Sequence, residues 1–175
     1  IAPDYSECAA IVGLCYAYGS PEKAMKEFDR ALEYSQTNEE KAMMDARYAR
    51  FLRSNNMYQE AIDCLEEAVS LSPNECTLKF ELITSLCWVN SFDKARSIFA
   101  TIEVKQLSDA MQHEYAMRYA DMKRREADVI AQSNASLAFE YLKDAFFTLE
   151  NDATSDKRKF DLMANILCAI GYLYI

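Results

Sequence analysis

The sequence predicts an all-α protein built from stacked helix pairs, and three observations support that prediction. The 175 residues include only three Gly and three Pro, which leaves few breakers for the tight turns of a sheet protein. Half of the residues are hydrophobic, and the residues that favour helices, such as Ala, Leu, Glu, Lys and Met, are abundant. The third observation is an internal repeat, in which an alanine-centred helical pattern returns along the chain.

Charge and cysteine usage exclude several classes of protein. The formal net charge is −9, and a surface this acidic repels a phosphate backbone, so we expect no nucleic-acid partner. The sequence has neither a signal segment nor an uncharged apolar run of about 18 residues, so we expect no membrane partner. No Cys-x-x-Cys pair occurs, and we predict reduced core thiols in a cytoplasmic protein. The cysteines are Cys8, Cys15, Cys64, Cys76, Cys87 and Cys168.

The repeated element is an alanine, a large apolar residue four positions later, and Ala or Ile three positions further on. This spacing places all three side chains on one face of a helix. Small residues let a neighbouring helix approach closely, and the bulky residue fills the remaining space. The copies are Ala24/Phe28/Ala31, Ala61/Leu65/Ala68, Ala95/Phe99/Ile102 and Ala138/Leu142/Ala145.

The spacing of these copies indicates a helix–turn–helix unit. The first three key alanines are 37 and 34 residues apart, and the fourth follows after 43. A turn-forming residue stands five positions before each of them. These residues are Gly19, Asn56, Asn90 and Ser133. The segment Ser20-Pro21-Glu22 adds the cap, the early proline and the early acid that are typical of a helix start.

This period and pattern resemble the tetratricopeptide repeat (TPR) family, a helix–turn–helix repeat of 34 residues. The resemblance implies a right-handed superhelix of stacked antiparallel helix hairpins, forming one domain over 1–175. Two positions depart from the family pattern, because Asp45 and Arg125 stand where the family buries large apolar residues. The units are 5–38, 42–75, 76–109, an irregular 109–152 and a partial 157–175.

The last segment resembles the first helix of a further repeat. Ile170-Gly171 and Tyr174 occupy the family's Leu-Gly and Tyr slots. The segment is apolar nearly all round, with Leu167 among its apolar residues, whereas a terminal capping helix needs a polar outer face. The chain also begins without Met. We therefore expect a fragment of a longer protein with more repeats beyond Ile175, and a natural end with a dimerising helix is the alternative.

Few residues here could support catalysis or hold a metal or a cofactor, so we expect no enzyme, no cofactor and no metal site. The single histidine, His113, has no second His or Cys at i+3 or i+4, and we expect it on a solvent-facing helix surface. Adjacent acids such as Glu39-Glu40 and Glu66-Glu67 diverge on a helix. The basic run 123–125 is followed by Glu126, which favours an exposed charged helix face.

The family resemblance implies that the concave surface, lined by the first helix of each unit, binds a peptide or a partner's helix. The principal candidate residues are Tyr16, Arg47, Arg50, Arg53, Phe80, Thr84 and Trp88. Further residues projected onto this surface are Ser6, Ala9, Gly13, Met43 and Thr77, with Ala46 as the alternative to Arg47 and Glu81 as the alternative to Phe80. The arginines favour an acidic partner segment, and the aromatic residues favour apolar anchors. The alternatives are salt bridges from the arginines to Glu39, Asp45 or Glu81, and partial burial of Trp88 between helices.

The predicted function is a protein–protein interaction scaffold, part of a larger regulatory protein, that binds a partner segment in its groove. The alternative is a peptide-sensing regulatory domain that switches an attached effector domain. The carboxylate clamp of chaperone-binding TPR proteins is not expected. Of the matching positions Ala9, Gly13, Arg47, Thr77 and Glu81, only Arg47 is a suitable donor.

Overall fold

The computed structural model describes residues 5–17 and 19–173, and within these ranges it contains helices and no strands. The all-α prediction is therefore confirmed. None of the helices in these ranges is both long and apolar enough to cross a membrane. The helices are α1 (Tyr5–Tyr16), α2 (Pro21–Tyr34), α3 (Asn38–Ser54), α4 (Tyr58–Leu71), α5 (Cys76–Trp88), α6 (Phe92–Phe99), α7 (Asp109–Ile130), α8 (Ala135–Asn151) and α9 (Lys157–Tyr172).

The chain forms two compact units, 1–89 and 90–175. The first unit contains α1 to α5 and the second contains α6 to α9. Their boundary separates α5 from α6, which the sequence analysis assigned to one repeat. Helices adjacent in the chain pack as pairs, with α1 on α2 and α3 on α4 in the first unit and α7 on α8 in the second.

The repeated element of an alanine, a large apolar residue and Ala or Ile, here named the alanine stripe, is buried in all four copies. Ala24, Ala61, Ala95 and Ala138 are all 0% exposed. The bulky members of the stripe are buried as well, at 0% for Phe28 and 2% for Leu142. Since an alanine adds little bulk, the partner helix can approach closely at these positions. The predicted burial of the stripe is confirmed.

The turns also fall at the predicted positions. Asn56 has a φ of 62° and Asn90 a φ of 57°, which is left-handed backbone that Asn adopts more readily than most residues. Gly19 and Ser133 lie in turns as well. The side chain of Asn56 accepts a hydrogen bond from the Tyr58 hydroxyl at 2.9 Å, which ties the turn to the start of α4.

Replacing Ala61 with Phe is expected to lower the free energy of unfolding by about 1–3 kcal/mol, because the ring would have to enter the packed contact of α4 with α3. Chemical denaturation measures this change. Phe at Glu60, an exposed neighbour on the same helix, provides the control and should have a much smaller effect. An unchanged unfolding free energy for Ala61→Phe would contradict the packing described here.

Helix α1 is rotated relative to the sequence prediction. Ser6, Ala9 and Gly13, which were expected to line the concave surface, are buried. A Cβ atom on Gly13 would lie 3.1 Å from Cε2 of Phe28, so the absence of a side chain lets the ring of α2 pack against α1. The opposite side of α1 is therefore exposed.

The cysteines are free thiols, but only some of them belong to the core. Cys87 is buried, and Cys64 and Cys76 are partly exposed. The prediction of core thiols is wrong for Cys8 and Cys15, since both lie on the side of α1 that the rotation exposes. It is also wrong for Cys168, which is exposed on α9.

Helix α9 buries one side and exposes apolar residues on the other. Ile166 is fully buried, and Ile170 packs partly buried against the same core as Leu142 and Leu149. Leu167 is exposed, as are Phe160 and Tyr172. Tyr174, the last residue of the predicted repeat slots, lies outside the described residues.

Candidate partner-binding site

The first unit contains a concave surface between α3 and α5, here named the α3–α5 groove. Its pocket has a volume of about 370 Å³. On α3 the lining residues follow the spacing i, i+3, i+4, i+7, so they share one face of the helix. The groove is lined by Met43, Ala46, Arg47 and Arg50 from α3, and by Glu75, Thr77 and Leu78 at the start of α5.

Two arginines of α3 meet one carboxylate of α5. Arg50 donates from Nε to Oε1 of Glu81 at 3.1 Å, and Arg53 donates from Nη2 to Oε2 at 2.9 Å. Arg53 also donates to the hydroxyl of Ser85 at 3.2 Å. Glu81 is only 8% exposed, whereas the side chain of Arg50 remains 53% exposed. Glu81 therefore holds the Arg50 guanidinium in place while leaving part of it open to solvent.

The salt bridge to Glu81 is one of the alternatives considered for the arginines, and the structure contains it. A second ion pair joins Arg47 to Glu7 of α1, with Nη1 and Oε2 2.6 Å apart. Glu75 accepts a hydrogen bond from the backbone N–H of Thr77 at 3.1 Å and so caps α5 at the edge of the groove. Arg47, Arg50 and Arg53 thus lie along one side of α3, as their spacing predicted.

Trp88 continues the face of α5 on which Glu81 and Ser85 lie, because the three residues are spaced i, i+4, i+7. Its ring is 47% exposed and stacks on Tyr58 of α4, with centroids 5.7 Å apart and planes at 9°. The predicted partial burial is present. One face of the indole is supported by Tyr58, and almost half of the side chain remains accessible.

Two of the predicted residues are less accessible than the prediction required. Phe80 is 2% exposed, so its ring belongs to the core, and the prediction of a surface position is wrong. Thr84 is half-buried, and its hydroxyl donates to the carbonyl of Phe80 at 2.8 Å. The carboxylate of Glu81, the neighbour of Phe80, takes the place beside the arginines.

Tyr16 lies on the side of α1 away from the arginines. Glu7 directs its carboxylate toward Arg47, and nine residues later in the helix a side chain leaves on the opposite side. Tyr16 is 39% exposed, with Nζ of Lys23 5.6 Å from its ring centre. The structure therefore brings the three arginines together but separates Tyr16 from them.

His113 is the clearest difference from the sequence prediction in the second unit. It is 5% exposed instead of solvent-facing, and its imidazole lies between two carboxylates. Nδ1 is 2.7 Å from Oδ2 of Asp152, and Nε2 is 3.3 Å from Oδ2 of Asp156. Both acids belong to the connector between α8 and α9, so this cluster ties the connector to α7.

The basic run on α7 makes local ion pairs. Arg124 donates to Asp121 and to Asp128, both at 2.8 Å, and Arg125 donates to Asp121 at 2.8 Å. The prediction of an exposed charged face is therefore only partly right, because these arginines are salt-paired but partly buried, and Glu126 is only 8% exposed. Lys123 differs, since its side chain is 13% exposed and its Nζ lies 4.4 Å from the ring centre of Tyr141.

The residues of the groove that the sequence analysis did not identify are Glu75 and Leu78, and it also missed Ser85, the buried partner of Arg53. Ser85 could have been predicted from the sequence, because it lies four positions after Glu81 and therefore on the same face of α5. Across residues 5–17 and 19–173, no group of three or more His, Cys, Asp or Glu side chains is arranged to hold a metal ion. When compared with known proteins, the chain matches no family model and no curated protein.

Proposed function

We propose that this chain is a protein-interaction module of the TPR kind, and that its α3–α5 groove binds a partner segment carrying an acidic side chain beside an apolar one. The observation that supports this most directly is the position of Arg50. Its half-exposed guanidinium is held by Glu81 and lines a pocket that also contains Met43, Ala46 and Leu78.

The chemistry of the groove suits such a segment. A guanidinium offers a planar set of donors that matches a carboxylate, and one held in place loses little conformational freedom on binding. Arg50 and Arg53 share Glu81, so that carboxylate alone does not neutralise both charges. The apolar part of the pocket takes an aliphatic or aromatic anchor, and buried anchors of this kind dominate binding energy at interfaces.

Binding is proposed here in preference to catalysis. The carboxylates in and beside the groove are already engaged, with Glu81 between two arginines, Glu7 beside Arg47 and Glu75 capping α5. In this proposal the helix pairs belong to a longer superhelical array in a cytoplasmic regulatory protein. The rest of that protein determines what binding accomplishes.

The test is a selection of binders from a displayed library of random linear peptides, followed by affinity measurements with variants. Arg50→Gln is expected to weaken the selected peptides about tenfold or more and to reduce the salt dependence of association. Met43→Asp should weaken them too, because it introduces a carboxylate into the pocket at a position that is 55% exposed and so tolerates the change in the free protein.

Lys26→Gln is the matched control. Lys26 lies on the exposed surface of α2 in the same unit, so the substitution makes the same charge change away from the groove. The thermal midpoint of each variant establishes that it is folded. If the selected peptides bind Arg50→Gln and Met43→Asp as tightly as the unaltered protein, the groove is not the binding surface.

A further inference from the structure

The side of α1 that faces solvent is apolar and carries no charge. Four residues define it, Cys8, Ile11, Val12 and Cys15, and their spacing of i, i+3, i+4, i+7 places them on one helix face. We name this surface the α1 outer face. Ile11 is 50% exposed, Val12 is 41% exposed, and both cysteines are exposed free thiols.

The α1 outer face is a consequence of how α1 packs. The other side of the helix is filled by its contact with α2, where Gly13 admits the ring of Phe28. The one charged residue within α1, Glu7, pairs with Arg47 of α3. The apolar residues on the outer face consequently have no helix of the first unit left to cover them, and exposed patches of this kind mark interaction surfaces.

The pattern on this face is symmetric along the chain. Read from either end, it is Cys, two residues, an aliphatic pair, two residues and Cys, over Cys8 to Cys15. A two-fold axis between Ile11 and Val12 would place Ile11 against Val12 of a second copy, and Cys8 against its Cys15. Such self-complementarity is what an isologous interface between identical chains requires.

We infer that the α1 outer face binds the same face of a second copy of this chain, with the two α1 helices antiparallel. Tyr5 and Tyr16, which are 60% and 39% exposed, extend the apolar surface at its two ends. Together the exposed side chains offer on the order of 600 Å² per chain, close to the roughly 800 Å² per partner of a standard interface. The pairing is thus expected to be reversible.

Charge favours this location for contact between copies. Each chain carries a net charge of −9, so two copies repel one another over most of their surface. Repulsion is smallest where the approaching surfaces are uncharged, as they are along the α1 outer face. Binding a different protein would not require a surface that is both uncharged and symmetric, because that protein need not carry the same charge or the same sequence.

The first test is the mass in solution, measured by sedimentation equilibrium over a range of concentrations. The unaltered protein is expected to reach the mass of two chains, and the Ile11→Glu/Val12→Glu variant is expected to remain at the mass of one. Val129→Glu is the control, since Val129 is a 53% exposed aliphatic residue on α7 and its substitution should leave the dimer intact. A protein that stays monomeric, or a dimer that survives the double substitution, overturns the inference.

The second test fixes the orientation of the two helices with a short bis-maleimide, in which each maleimide adds one thiol across its double bond without oxidation. All variants carry Cys64→Ser, Cys76→Ser and Cys168→Ser, which removes the other thiols that are exposed or partly exposed. Cross-linked dimer is expected from the chain with both Cys8 and Cys15. It should be lost when either one is changed to Ser, and restored when the Cys8→Ser and Cys15→Ser chains are mixed. Cross-linking that persists in either single variant alone overturns the antiparallel arrangement.

Discussion

Replacing Asp45 with Asn is expected to stabilise the protein by about 2–4 kcal/mol more at pH 8 than at pH 4.5. Asp45 lies on α3 and is only 2% exposed. Its Oδ2 atom is buried without a hydrogen-bond partner. Burial raises the pKa of Asp45 from its usual value of 3.8 to about 7; the nearby Glu67 contributes to the rise, and Lys41 opposes it.

The direction of the effect follows from where the proton is bound. Between about pH 4 and pH 7, the folded chain keeps a proton on Asp45 that the unfolded chain has released. Unfolding therefore releases a proton in this range, and raising the pH favours the unfolded state. The loss of stability caused by ionising the buried Asp45 is absent below pH 3.8 and complete above about pH 7.

The measurement is the free energy of unfolding of both proteins from denaturant titrations across this pH range. Because other titrating groups contribute equally to both proteins, the difference between the curves isolates Asp45. Asp29→Asn, at an exposed position on α2, should give a curve nearly parallel to that of the unaltered protein. If the Asp45→Asn curve is parallel as well, Asp45 is not held in its neutral form by burial.

Replacing His113 with Ala is expected to lower the free energy of unfolding of the second unit by about 2–4 kcal/mol. The substitution removes a buried ring and leaves Asp152, whose side chain is 9% exposed, without its contact to the imidazole. Lys159 remains near Asp152, since its Nζ lies 3.6 Å from Oδ2 of that residue. The loss should therefore be concentrated where the α8–α9 connector meets α7.

Hydrogen exchange of the amides in residues 152–159, together with denaturant unfolding, measures this effect. His113→Gln should retain part of the stability, because its amide can still donate to one carboxylate. Gln132→Ala, at an exposed position in the turn after α7, is the control and should change little. Unaltered protection of the connector in His113→Ala would mean that the cluster does not fasten it to α7.

Much of the fold could be predicted because the second helix of each pair has a clear periodicity. In α2, α4 and α8 the apolar residues form one stripe among polar ones, so the sequence itself selects the buried face. Two of the turns could be predicted equally well, because Asn adopts left-handed backbone more readily than most residues. Asn56 and Asn90 show that this rule was sufficient.

The candidate site was predicted only in part, and the reason differs between helices. On α3, the spacing of Arg47, Arg50 and Arg53 was enough to place them along one side. On α5, apolar residues occur on several sides, so the periodicity did not decide between Phe80 and Glu81. The arginines of α3 select Glu81 for the position beside the groove, because a carboxylate that is largely buried requires a partner of opposite charge.

The sequence by itself determined the helical class, the alanine stripes and the positions of the turns, since these depend on residues close together in the chain. The tertiary structure decided the rotation of α1, because apolar residues occur on several sides of that helix and the fit of the Phe28 ring against Gly13 favours burial of one of them. It also decided the burial of Asp45 and of His113. A local pattern cannot predict that a polar side chain is buried when the groups that pack against it lie on other helices or connectors. For His113, the two carboxylates that contact the imidazole are 39 and 43 residues away in the chain.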